Sequence, residues 1–158
     1  MSTNEVGELL YTVTLNITGM KEYGVSFEAL MEGKVAAPVD GARFDVAFQG
    51  MATGPKLNGA AEGIDYVRVG ADGGFQLHIH ETITTDNGQN ISAHGDGVAD
   101  LRPDGVIADV RVDMILFTSS KNYTWVNELQ VKGIGTIDLA KQVIQVAAYS
   151  AGAPPGDR

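Results

Sequence analysis

Leu9, Tyr11, Val13, Leu15 and Ile17 alternate with Leu10, Thr12, Thr14 and Asn16. An apolar residue at every second position marks a half-buried strand, which Gly19 is expected to close. Phe44, Val46 and Phe48 alternate in the same way with Arg43, Asp45, Ala47 and Gln49. Residues 25–31 have no clean period, and Phe27, Leu30 and Met31 suit a short helix or an irregular strand. Further on, Asp72-Gly73, Asn87-Gly88 and Pro103-Asp104-Gly105 are hairpin-type turn signals spaced about 15 residues apart. Strands are expected at 75–84, 90–101 and 106–117, with another at 123–131. A last pair, 134–139 and 142–149, is expected across Ala140-Lys141. No amphipathic helix of three turns is present. Consecutive antiparallel strands in this number remove their exposed edges by closing on themselves. The expected fold is all-β: a single antiparallel β-barrel with an internal cavity over residues 1–152, then a flexible C-terminal tail at 153–158. An open sandwich is the alternative.

Composition narrows the function. The chain has 158 residues, 44% of them hydrophobic, with 20 glycines, which suits one domain with a real core. Its net charge is −9, from 20 acidic against 11 basic residues. Nucleic acids and anionic membranes bind through clustered Lys and Arg, so neither is an expected partner. There is no cysteine, which excludes disulfides, thiolate catalysis and Cys-ligated metals. The N-terminal sequence does not read as a secretory signal, and no apolar run reaches the ~20 residues of a membrane helix. A cytoplasmic protein is expected. Leu9 beside Leu10, and Ile115 beside Leu116 and Phe117, put apolar residues on both strand faces, so a homodimer is expected.

Read as a strand, residues 123–132 place Tyr123, Trp125, Asn127 and Leu129 on one apolar face. Asn127 there must bond adjacent backbone, water or a ligand. In 75–83, Phe75, Leu77, Ile79 and Ile83 form one face, and Gln76, His78, His80 and Thr82 the other. Alternation alone leaves open whether the histidine face meets solvent or the lumen.

Several fixed signals follow one another: Phe48-Gln49-Gly50, Gly54-Pro55-Lys56-Leu57-Asn58-Gly59, Gly63-Ile64-Asp65-Tyr66, Asp72-Gly73, Thr85-Asp86-Asn87-Gly88, Tyr123-Thr124-Trp125-Val126-Asn127 and Gly133-Ile134-Gly135. In this order and spacing they resemble the DUF3237 (UPF0311) family of small β-barrel proteins, whose biochemical role is largely unassigned. The resemblance covers roughly residues 44–149. The family pattern Leu-Asp-Ala-Arg-Tyr-Thr-Leu-Glu-Thr-Asp-Asp-Gly, aligned on Thr85-Asp86-Asn87-Gly88, puts His78 at its Asp and His80 at its Arg. That implies a polar patch in the lumen, here with two histidines in place of the charged pair. Asp65 matches the Asp of the family's Gly-Gly-Ala-Asp-Trp turn, with Tyr66 replacing the Trp. Asp65 is then either an Asx-type turn residue or a carboxylate near the barrel mouth.

A small, largely apolar or aromatic metabolite is the expected partner. A cofactor-independent isomerase, cyclase or lyase would use His78 or His80 as general acid or base, with Asp65 to orient or charge-balance the imidazole. Tyr123 and Asn127 would hydrogen-bond a substrate oxygen, and Tyr66 and Trp125 would shape the pocket. A non-catalytic binder or carrier needs the same cavity without a poised base. An assembly module with solvent-facing histidines is the third reading. No cofactor and no metal are expected. His78-x-His80 is a chelating spacing, but two ligands alone rarely hold a catalytic ion, and His94, in Ala-His-Gly-Asp, does not complete a cupin pattern. Gly-x-Ser-x-Gly, dinucleotide-binding and phosphate-loop motifs are absent.

Overall fold

The computed structural model describes residues 6–151; the expected tail at 153–158 lies outside them. Eight strands follow one another around a closed barrel, each antiparallel to its neighbours. They are β1 (Val6–Glu22), β2 (Ala42–Thr53), β3 (Gly59–Val69), β4 (Phe75–Thr85), β5 (Asn90–Leu101), β6 (Ile107–Phe117), β7 (Val131–Asp138) and β8 (Val143–Ala151). β1 pairs with both β2 and β8, which closes the ring. The all-β barrel expected from the periodicity is therefore the fold.

Most inward residues are apolar and buried, and most outward ones polar, as half-buried strands require. Phe44, Val46 and Phe48 of β2 face Val67 and Val69 of β3 and Leu77 and Ile83 of β4 through a common interior. Three hairpin turns carry Gly73, Gly88 and Gly105 at positive φ, where a side chain would be strained. β1 does not stop at Gly19. It runs on to Glu22, with its register shifted between Ile17 and Gly19. Against β8 its register shifts between Val6 and Leu9 and again between Leu9 and Tyr11, and the latter shift lets the adjacent Leu10 and Tyr11 both be buried. Such bulges bend a strand that must follow a barrel wall.

Two elements close the ends. Helix α1 (Phe27–Met31) is capped by the Ser26 hydroxyl, which accepts from the Ala29 N–H. It sets Phe27 edge-on against Phe44, with ring centroids 5.1 Å apart, and near Phe75 at 6.5 Å. At the other end, residues Lys121–Glu128 form a 3-10 helix, not the strand expected at 123–131. Its Val126 is fully buried together with Leu57, Ile83, Ile91, Leu116 and Val131. The polar ends of this plug are tied down locally. Asn127 accepts from the Thr118 N–H and donates to the Thr118 carbonyl, both at 2.9 Å. Tyr123 donates its hydroxyl proton to Asn87.

Candidate functional site

Strand β4 carries chemistry on both faces. Leu77, Ile79 and Glu81 point into the lumen, while His78 and His80 point out. The inward placement expected for the two histidines is thus reversed: the solvated-face reading of β4 holds. Alternation separates the faces, and the buried Phe44, Val46 and Phe48 on β2 decide which one is inside.

The interior is a mostly apolar cavity of about 50 Å³, room for a few water molecules. Leu15, Phe48, Leu77, Val112, Met114 and Val146 are among its walls. Three polar groups interrupt them: the Tyr11 hydroxyl and the Asp65 and Glu81 carboxyls. Tyr11 is 1% exposed, Asp65 8% and Glu81 6%. The lining residues Ile137, Ile144 and Val146, on β7 and β8, are only half-buried, so the wall is least covered there.

Asp65 is not in a turn. It lies mid-strand in β3, opposite Ile79, in a segment whose glycines and alanines hide the period of a strand. The β3–β4 ladder skips Tyr66 and Val67, and there Asp65 Oδ1 accepts from the His78 backbone N–H at 2.9 Å. The carboxylate takes a donor that the ladder would otherwise use. Burial nevertheless raises its pKa to about 6, with the hydrogen bond and charge of His78 opposing. Burial alone raises Glu81 to about 7. Taking a carboxylate out of water favours its neutral form, so both acids titrate near neutrality. The Tyr11 hydroxyl has no hydrogen-bond partner, and burial, then the Glu81 charge, push its pKa up. Gly63 stands opposite Glu81; a Cβ there would lie 2.2 Å from the His80 carbonyl oxygen, so only glycine lets β3 pass this close to β4.

Outside, the Asp96 carboxylate accepts from His78 Nδ1 at 2.6 Å, and His78 Nε2 lies 3.1 Å from His80 Nε2. His94, directly across the ladder from His80, has its ring centroid 4.5 Å from that of His80. Tyr66 is also outside, 5.6 Å from the His80 ring, with the Arg43 guanidinium 5.4 Å over its own ring. Beside the histidines runs an open groove of about 430 Å³ that includes Gln49, Glu62, Ile64, His80 and His94.

The expected site is therefore divided. Asp65 alone of the proposed acid–base groups is in the lumen. His78, His80 and Tyr66 gather on the outer wall. Tyr123, Trp125 and Asn127 belong to the end plug, where Asn127 is exposed and Trp125 half-buried. Glu81 and Tyr11 were not anticipated. Glu81 had a signal, as the one charged residue in the apolar series Phe75, Leu77, Ile79, Ile83.

No protein-family model matches the chain, and no curated protein matches it. Solved structures do. A β-barrel-like protein from Acinetobacter baumannii AYE is 20% identical, with a TM-score of 0.73 over 92% of this chain and 94% of that one. A protein of unknown function from Clostridium acetobutylicum ATCC 824 is 18% identical, with a TM-score of 0.75 over 92% and 97%. An enzyme from Penicillium herquei is 20% identical, with a TM-score of 0.61 over 95% and 99%. At these identities the likeness shows the fold, a closed eight-stranded barrel, and the chemistry must be argued from this chain's own residues.

Proposed function

We propose that the protein binds a small, largely apolar molecule in its lumen and transfers protons on it without a cofactor, as an isomerase, cyclase or lyase does. The observation that carries this reading is the convergence of Tyr11, Asp65 and Glu81 on one apolar cavity, the two carboxyls having pKa values of about 6 and about 7. A general acid or base works best when its pKa is near the working pH. Unequal carboxyls in one site divide the roles. Asp65, the stronger acid, is the base, and Glu81, protonated over more of the neutral range, is the acid. The unpartnered Tyr11 hydroxyl is free to donate to a carbonyl or enolate oxygen. The cavity admits only the reacting end of a substrate, and Met114, unbranched and adaptable, is the wall residue best able to yield to more. The Penicillium herquei structure supports the reading to the extent that a barrel of this fold is an enzyme.

The DUF3237 resemblance and homodimer formation belong to the same proposal. Ile115, 67% exposed, and Phe117, 59% exposed, stand on the outer face of β6, where a second copy would cover them.

The test is deuterium uptake from D2O into a panel of small ketones and enones, followed by proton NMR. The wild type should accelerate exchange for at least one compound. Asp65→Asn and Glu81→Gln should each lower that rate 100-fold or more, while His80→Ala should leave it within a factor of about two. Exchange that survives both carboxyl substitutions, or that His80→Ala abolishes, overturns the lumen assignment. A carrier, the second reading, would bind such compounds without exchanging them.

A further inference from the structure

The outer wall of β4 and β5 carries an arrangement the lumen chemistry does not use. From it we infer that the protein binds one first-row divalent transition metal ion, Zn²⁺ or Cu²⁺, through His78 Nε2 and His80 Nε2.

Among the described residues no group of three or more His, Asp or Glu side chains stands ready to hold a metal ion. The site inferred here is a two-imidazole chelate completed by water. Its nitrogen spacing is already set. Two nitrogens 3.1 Å apart, each about 2.0–2.1 Å from a common zinc ion, subtend roughly 95–100° at the metal. That lies between octahedral and tetrahedral values, so the nitrogen spacing suits one shared ion, which takes the place of the Nε2–Nε2 hydrogen bond.

The orientation of His78 is the second observation. Metal-ligating histidines usually donate their other ring N–H to a carboxylate, which fixes the tautomer and makes the ligating nitrogen more basic. His78 Nδ1 lies 2.6 Å from the Asp96 carboxylate, leaving Nε2 as the lone-pair nitrogen facing His80. His78 and Asp96 are paired across the β4–β5 ladder, so backbone pairing sets this contact. His94, cross-strand from His80, packs its ring against that of His80 and limits its rotation. The side chains of His78 and Asp96 are 54% and 81% exposed, so an ion reaches the site from solvent. The chain's net charge of −9 favours an approaching cation. Imidazole nitrogens select zinc, copper and nickel over magnesium and calcium. The expectation of no metal came from two histidines with no third ligand, His94 not completing a cupin pattern; the fold adds the carboxylate behind His78.

The experiment is competition of the untagged protein, barrel intact by circular dichroism, against a chromophoric chelator with Zn²⁺ and separately with Cu²⁺. One ion per chain is expected. His78→Ala and His80→Ala should each weaken binding by at least a hundredfold. Asp96→Asn should weaken it roughly 10- to 100-fold without lowering the stoichiometry. Asp109→Asn, an exposed carboxylate on β6 paired with Arg102, should leave affinity unchanged. Mg²⁺ should not compete. Equal affinity in wild type and His80→Ala, stoichiometry below one half, or no effect of Asp96→Asn would each overturn the inference.

Discussion

The two faces of β4 carry titratable groups one residue apart in sequence and in opposite solvents. Inside, Glu81 is 6% exposed in an apolar cavity, and its pKa rises to about 7. Outside, His78 meets a carboxylate at 2.6 Å with its side chain 54% exposed. The inner group is altered by what it lacks, which is water. The outer groups are arranged by what they touch. Proton transfer on an apolar molecule needs the first environment, and capture of an ion from solvent needs the second. Asp65 links the two, for it is an inner carboxylate bonded to the backbone N–H of an outer histidine.

The largest effect that would break this contrast is on the apolar side. Ile83 is fully buried on the inner face of β4. Ile83→Ala should destabilise the barrel by about 2–5 kcal/mol, the cost of lost burial plus a cavity. Urea unfolding measures it. A loss below about 1 kcal/mol would mean that the inner face is not packed as a core.

Next in size is the pH dependence of the inner acids. Glu81 moves from 4.5 when unfolded to about 7 when folded, and Asp65 from 3.8 to about 6. The folded state therefore holds protons that the unfolded state has released. Stability from these groups is fully present below about pH 4 and is lost as pH rises through 6 to 7. At pH 8, Glu81→Gln should raise stability by about 3 kcal/mol, because no buried carboxylate then has to stay ionised against its desolvation. At pH 4 it should change little. Equal effects at both pH values would show that Glu81 is not a desolvated carboxyl.

The same contrast explains what the sequence disclosed. Period two in β1, β2 and β4, and the turns at Gly73, Gly88 and Gly105, made the barrel legible, since these are local signals. The sense of each strand was not legible, because inside and outside are set by closure of the ring, a non-local event. His78 and His80 were expected in the lumen from the family resemblance, because alternation did not say which face is inside. β3 was missed as a strand because Gly59, Ala60, Ala61 and Gly63 give no alternation; their smallness is required by close strand approach, as at Gly63. Residues 123–131 read as a strand because Tyr123, Trp125 and Leu129 alternate. In a short 3-10 plug those side chains pack against a barrel end instead. The partnership of His78 with Asp96 needed the β4–β5 register, which a turn signal at Asn87-Gly88 fixes only once the hairpin is folded.

A smaller effect probes the third inner group. Tyr11 has its ring buried and its hydroxyl without a partner. Tyr11→Phe keeps the ring and removes the oxygen, so stability should rise by about 1 kcal/mol, since a buried unpaired hydroxyl is unfavourable. A loss of about 1 kcal/mol or more by thermal unfolding would mean that the hydroxyl is hydrogen-bonded in the ligand-free lumen, and its assignment as a donor waiting for a substrate oxygen would fall.

The smallest expected effect lies on the outer face. Asp96→Asn weakens the 2.6 Å contact between the Asp96 carboxylate and His78 Nδ1. Both partners are largely exposed, so water replaces most of what is lost, and salt screens the rest. The change in unfolding free energy without added metal should stay within about 0.5 kcal/mol. With excess Zn²⁺ present, wild type should gain more stability than Asp96→Asn, because an ion that binds only the folded state stabilises it in proportion to its affinity. A large metal-free loss would make Asp96 a structural residue of the β4–β5 hairpin. Identical zinc stabilisation of the two proteins would remove it from the outer site, and with it the division of labour between the faces of β4.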